Sequence, residues 1–210
     1  MVLWYYNLVR KEKVKKEVKK VITYREINKL YFKKYDSIPM IVHVKSIFTL
    51  EKIRNGLGGV LLKETPIEEY KKDLGLYEKP LEWEEQFDIT NWAFFMAFDE
   101  DIPIGAITIV SKTKDVNMLD GRDDMSVLWD IRVDDRCKQQ GVGTKLFNMA
   151  VEWSKVKGFK QMKIECQNNN VPACKFYHKH GAVLGKIDQY AYYSDVNIRD
   201  EVQFIWYLDL

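Results

Sequence analysis

Met125-Ser-Val-Leu-Trp-Asp-Ile-Arg-Val133 runs through Arg136-Cys-Lys-Gln-Gln-Gly-Val-Gly143 into a helical pattern from Thr144 to about Lys157, followed by Gln161-Met-Lys-Ile-Glu-Cys-Gln167. An apolar strand, a basic glycine-containing turn, a helix and a second strand, in that order, form an anion-binding device. Glycine lets the backbone approach an oxygen-rich ligand, and the first turn of the helix leaves its N–H groups free to point at it. The helix end contributes about half a positive charge, and Lys138 adds a full one. The stretch therefore reads as a phosphate cradle, and the question is which ligand it takes.

Spacing excludes two familiar phosphate loops. A Walker loop needs Gly-x-x-x-x-Gly-Lys-Ser/Thr, which Gly141-Val-Gly-Thr-Lys145 does not supply. A dinucleotide loop needs a third glycine where this chain has Leu146. What remains, Lys138-x-x-Gly141-x-Gly143, resembles the pyrophosphate loop of the GCN5-related N-acetyltransferases (GNAT). Downstream, Asn170, Ala173, Phe176, Tyr177 and Gly181 fit that family's Asn-x-x-Ala-x-x-Phe-Tyr-x-x-x-Gly pattern, with Glu165 five residues ahead of it. Within the family, Ile164-Glu-Cys-Gln-Asn-Asn-Asn-Val-Pro-Ala-Cys-Lys-Phe-Tyr-His178 and the ending Phe204-Ile-Trp-Tyr-Leu-Asp-Leu210 look most like the streptothricin acetyltransferases. Those enzymes acetylate a cationic antibiotic on its β-lysine amine. The resemblance is specific over roughly residues 91 to 208 and loose before that.

The resemblance implies a mixed α/β fold, the GNAT fold. Its central sheet is mixed but mostly antiparallel, splayed between the two central strands and flanked by helices. Length is consistent with one domain carrying appended elements, read here as an N-terminal helical extension over 1–36 and an acetyltransferase domain over 37–210. Hydrophobic content of 46% and aromatic content of 13% are those of a globular chain. A net charge of +2 argues against a dedicated nucleic-acid binder. No apolar run is long enough to cross a bilayer, and the apolar start precedes its basic run, the reverse of a signal peptide. Cys137, Cys166 and Cys174 lack metal-site spacing, so no metal is expected, and free thiols in a reducing cytoplasm are.

Read in order, Arg10 to Lys20 is a lysine-rich solvated helix, and Tyr24 to Lys34 a second helix ending near Asp36-Ser-Ile-Pro39. Met40 to Val44 is a first strand, and Leu57 to Leu62 a flexible joint with a short apolar run. Thr65-Pro66, with Glu68 and Glu69 behind it, opens a helix that ends around Asp73 to Gly75. Glu78 to Asp88 is acidic and aromatic, and Asn91–Phe98 with Ile102–Val110 makes a hairpin. Ser111 to Asp124 is a loop, and Ala182–Tyr193 pairs with Glu201–Leu208. The N-terminal lysines and the aromatic final strand form a candidate homodimer surface.

Acetyl transfer from acetyl-CoA to an amine requires three things: pyrophosphate neutralisation, thioester alignment and proton movement. The resemblance assigns the first to Lys138 and the backbone of Gln139, Gln140, Gly141, Val142, Gly143 and Thr144. It assigns the pantetheine arm to Ile131, Arg132 and Val133, with the Ile131 N–H facing the oxyanion, and to Asn170, Ala173 and Phe176. Tyr177 matches the family tyrosine that returns a proton to the thiolate, and a phenol of pKa about 10 suits that task. Glu165 sits on an otherwise apolar strand where desolvation favours a basic carboxylate, and substrate-ammonium binding is its other role. Many relatives carry a Glu where this chain has Trp129, so the base is Glu165, Asp130 or a water relay. Strand alternation sends 129 and 130 to opposite faces.

The acceptor is expected to be a small cationic amine held by Trp83, Glu84, Glu85 and Trp129, since carboxylates beside aromatic faces suit a polycation. A solvated helix face accounts for the same acidic pattern. Direct attack on the thioester is expected, because neither Cys137 nor Cys174 has an evident base beside it. Two rivals stand: acetylation of a protein N-terminal or lysine amine, and a non-catalytic coenzyme A-binding module. His178 and His180, two residues apart on a helix, face different directions and read as surface polar groups.

Overall fold

The computed structural model describes residues 21–210. Four strands build one wing of the main sheet: β1 (Ile22–Ile27), β4 (Ala93–Asp99), β5 (Ile102–Ser111) and β6 (Met125–Val133). The other wing holds β7 (Gln161–Gln167), β8 (Val183–Asp188) and β9 (Gln203–Asp209). The order is β1-β4-β5-β6-β7-β9-β8, antiparallel throughout except for β6 beside β7. Long strands β2 (Ile41–Lys52) and β3 (Val60–Asp73) form a separate two-stranded ribbon.

Alternation along β4 loads a core on each face of the sheet. Phe94, Met96 and Phe98 enter one with Tyr35 and Trp83, while Phe95 and Ala97 enter the other with Leu146 and Phe147. The second core is closed by α3 (Val142–Val156) and α4 (Val171–Lys179), the first by short helices α1 (Phe32–Asp36) and α2 (Trp83–Gln86). Helix α3 lies close on β5 because position 105 has no side chain. A Cβ at Gly105 would stand 2.9 Å from Val142 Cγ1 and 3.0 Å from Leu146 Cδ1, both fully buried groups. Gly105→Ala is expected to lower stability by about 1–3 kcal/mol through this overpacking, read as a lower urea midpoint at unchanged slope. An unchanged midpoint would show that the helix gives way freely.

Several expectations hold. The β4–β5 hairpin, β6, β7, the helix behind the glycine turn and the closing strand pair all lie where sequence patterning put them. Others are corrected. Tyr24–Lys34, expected as a helix, is β1 followed by a 3-10 turn at Lys29–Tyr31 and the short α1. Ile22 and Tyr24 pack on one core while Thr23 and Arg25 are exposed, a two-residue period that suits the β-branched and aromatic residues of Ile22–Ile27 and is fixed by pairing with β4. With Phe32 and Tyr35 buried as well, residues 21–36 belong to the sheet and core rather than to an extension. The helix expected at Arg10–Lys20 lies outside the described residues.

Thr65-Pro66 does not open a helix. It sits inside β3, where Pro66 pairs with Ser46 beside a register break between Val44 and Ser46. Proline lacks the donor a regular ladder needs and is accepted at such breaks. The Leu57–Gly59 joint is the tip of this ribbon. In the final strand, β9 is paired on both edges by β7 and β8, and the Phe204, Ile205 and Trp206 side chains are buried within the chain.

Candidate active site

Strands β6 and β7 pair only from Met125–Gln161 to Leu128–Ile164. Beyond that point β6 continues to Val133 and β7 to Gln167 without a mutual ladder, held from outside by β5 and β9. The sheet therefore opens into a V, and the β6 backbone from Trp129 onward faces the gap. Two cavities, of about 350 and 990 Å³, adjoin the opening. Ile131, Asn170, Ala173 and Tyr177 line both, which makes them the shared neck.

The larger cavity ends at the glycine turn. Asp134 organises that turn by accepting from the Arg136 backbone N–H at 2.9 Å and from its guanidinium at 2.9 and 2.7 Å. Gln139 (φ 61°) and Gly141 (φ 84°) then take left-handed conformations that throw the chain into α3. No side chain caps the N-terminus of α3, and Gly141, Gly143 and Thr144 line the cavity. The first-turn N–H groups are thus left for an anionic ligand. Lys138 and Gln139 reach the same cavity, although Lys138 is engaged with Asp135 at 2.5 Å and the Ile41 carbonyl at 2.8 Å. Gln140 turns back to the Arg136 carbonyl, and the Val142 side chain is buried against β5.

Helix α4 is capped by Asn170, whose side chain accepts from the Ala173 N–H at 3.3 Å. One turn on, Phe176 lines the larger cavity against Phe147 and His180. Tyr177 is buried at the neck, and among the described residues nothing bonds its hydroxyl. Burial, then the neighbouring Cys166 and Cys174, pushes that phenol well above its usual range. His180 gives its Nδ1 to the Phe176 carbonyl contact at 2.8 Å, while His178 is exposed.

A family model for the acetyltransferase (GNAT) family matches residues 61–182, more than half of the chain. The chain belongs to the GNAT family. It is 33% identical over 115 residues to streptothricin acetyltransferase A of Bacillus subtilis (strain 168), a match covering 55% of this chain and 61% of that protein. The streptothricin acetyltransferase of Escherichia coli is 32% identical over 84 residues, covering 40% and 48%. These sequence matches therefore span about three-fifths and one half of the two curated relatives. A Bacillus anthracis str. Ames protein assigned as a streptothricin acetyltransferase and solved with acetyl coenzyme A superposes with a TM-score of 0.71 at 26% identity. That superposition covers 91% of this chain and 98% of the other.

This GNAT chain places its charged site residues less uniformly than its loop. Glu165 lines the smaller cavity and takes the Tyr192 hydroxyl. Asp130 does not reach either cavity. Its Oδ1 accepts from Tyr35 Oη at 2.8 Å and Arg132 Nε at 3.0 Å, its Oδ2 from Arg132 Nη2, and Thr108 donates to Tyr35 at 2.9 Å. Asp130 and Arg132 are a sealed ion pair, so Arg132 can offer a ligand only its backbone.

Trp129 is displaced by a bulge. Thr108 pairs with Asp130 and Ile109 with Leu128, leaving Trp129 as the extra residue. The bulge breaks alternation, and the 129/130 expectation is corrected accordingly. Trp129 meets Phe87 and Trp92 at 5.6 and 5.7 Å between ring centroids, and Asp130 enters the same layer beside Tyr35.

The acidic helix is also not where the acceptor reading needs it. Trp83 is buried in the aromatic core, Glu84 pairs with Lys29 at 2.5 Å, Glu85 is exposed, and none of the three lines either cavity. Burying the Trp83 face of α2 turns its acids outward. The carboxylate that does line the smaller cavity is Glu78, whose Oε1 accepts from the indoles of Trp83 and, at 2.8 Å, Trp129. Nothing local singles out Glu78 among the chain's acids; it is selected by where the end of β3 meets β6.

Proposed function

We propose that this chain transfers the acetyl group of acetyl-CoA directly to a primary amine of a small cationic substrate, with streptothricin-like antibiotics first among acceptors. The observation that carries the reading is the neck at Tyr177, where an uncapped helix N-terminus opens on one side and a carboxylate-bearing cavity on the other. The larger cavity suits the donor. Backbone groups of Gly141, Gly143 and Thr144 would hold the pyrophosphate, and the unpaired β6 edge at Ile131 and Val133 would hold the pantetheine amides. When bound, acetyl-CoA supplies the thioester. Asn170, Ala173 and Phe176 flank its arm, and Tyr177 holds the proton that the departing sulfur needs.

The smaller cavity suits an ammonium. It carries Glu78 and Glu165, while its Lys72 is already neutralised by Glu201. The cavity's aromatic wall comes from Trp129, Tyr77 and Tyr192. Similarity to streptothricin acetyltransferases supports that antibiotic as the first acceptor to try. Among the described residues no helix is long and apolar enough to cross a membrane. The free buried cysteines suit a reducing compartment, and the cytoplasm is the compartment proposed.

An amine panel with acetyl-CoA, read as released thiol, tests the reading. Streptothricin and small polyamines are expected to turn over well, and peptides with free N-termini or lysines poorly. Turnover confined to peptides would favour a protein acetyltransferase. Acetyl-CoA binding with no turnover on any amine would favour a non-catalytic module.

A further inference from the structure

Position 129 of the central strand carries an indole, and the bulge aims it at a carboxylate that comes from elsewhere in the chain. Glu78 lies just after β3, beyond the 3-10 turn Leu74–Leu76, and lines the smaller cavity with Glu165 and Tyr177. Two indole N–H groups, from Trp83 and Trp129, converge on its Oε1. Its Oε2 accepts no hydrogen bond among the described residues, and no Lys or Arg there forms an ion pair with it. Glu165 is held by a single donor, the Tyr192 hydroxyl on its Oε1. The cavity thus holds two carboxylates, each open at one oxygen among the described residues, and Glu78 is the one clamped by two rigid indole donors.

We propose that Glu78 is the group that takes the proton from the acceptor ammonium, and that Trp83 and Trp129 position it for this, leaving Glu165 to bind the cation. The assignment rests on the acetyl-transfer reading above. The ammonium gives one proton to Glu78 Oε2, and the freed nitrogen lone pair bonds to the acetyl carbon. As the C–S bond breaks, sulfur takes the Tyr177 proton, and the second nitrogen proton restores the phenol. One proton leaves to solvent from Glu78, so atoms and charge balance.

The electrostatics fit a base. Burial pushes the Glu78 carboxyl above the usual carboxylate range. Hydrogen bonds from Trp83 and Trp129 pull it back, Asp130 behind it adds to the rise, and Arg132 opposes it. Proton transfer is most effective when the base lies near the working pH, which a raised carboxyl approaches. The other titratable groups that line the cavity are Tyr77, Glu165, Cys166, Tyr177, Tyr192 and the paired Lys72.

The test uses the full chain with acetyl-CoA and streptothricin, or with the best acceptor of the amine panel. Glu78→Gln keeps an oxygen for both indoles. It is expected to lower kcat at least tenfold, to abolish the acid limb of the kcat/KM profile, and to leave acetyl-CoA affinity unchanged. Glu165→Gln is expected to raise acceptor KM several-fold with kcat largely retained. Trp129→Phe removes one donor that stabilises the charged carboxylate, so the acid limb should move to higher pH. An active wild type whose Glu78→Gln variant keeps its rate and acid limb overturns the assignment alone. So does an acid limb that is lost in Glu165→Gln instead, or that Trp129→Phe leaves in place. A wild type inert across the panel overturns the acetyl-transfer reading, and this assignment with it.

Discussion

Tyr177→Phe is expected to lower kcat by about a hundredfold or more, the scale of a lost general acid, while acetyl-CoA affinity stays the same. The ring is 4% exposed and packs against Phe147 and Phe176 at 6.3 and 5.7 Å. Phenylalanine preserves those contacts, so the fold and the neck between the cavities survive. What is lost is one hydroxyl, free of other partners among the described residues and raised in pKa by burial beside Cys166 and Cys174. A phenol held protonated in that way does not ionise by itself, and it gives its proton to sulfur as the second amine proton replaces it. The discriminating measurement is turnover by thiol release set beside calorimetric binding of acetyl-CoA. A variant that binds normally and turns over at the wild-type rate would remove Tyr177 from the chemistry.

Arg132→Met is expected to destabilise the chain by about 3–5 kcal/mol, the cost of leaving a buried charge without its partner. Asp130 and Arg132 have side chains 0% and 1% exposed, and Tyr35 with Thr108 completes their network. Replacing Asp130 by Leu together with Arg132→Met removes both charges, and should recover most of the loss. Chemical denaturation of the two singles and the double closes the cycle. A single-variant cost below about 1 kcal/mol would mean that water reaches the pair. The result bears on mechanism as well, because Asp130 was one of three routes for deprotonating the amine. A carboxylate whose loss shows first as instability is serving the core beneath the V, not the reaction in it.

Much of the site was legible because it is local. The glycine turn, the helix after it and the Asn170–Tyr177 cap and helix are each set by neighbours within a few residues, and they lie where the motifs require. The hairpin β4–β5 was legible for the same reason: its partners are adjacent in the chain and its turn is short. β1 and β3 were not. β3 is rich in charged residues, β1 is only six residues long, and each is fixed as a strand by pairing with a partner the local sequence does not mention. The acceptor side followed the same rule. Trp83, Glu84 and Glu85 advertised a cation site by composition, yet packing Trp83 inward turned the acids away from both cavities.

By itself the sequence determined the family and the local elements of the donor end, since a glycine turn before a helix start and a capped helix carrying a tyrosine are properties of short segments. Only the tertiary structure decided the acceptor end. A one-residue bulge against β5 put Trp129 and Asp130 in the same layer, with Asp130 sealed by Arg132, and the end of β3 brought Glu78 to the cavity. Bulges and sheet closures depend on contacts far apart in the chain, and their effect is to reverse which face a side chain occupies.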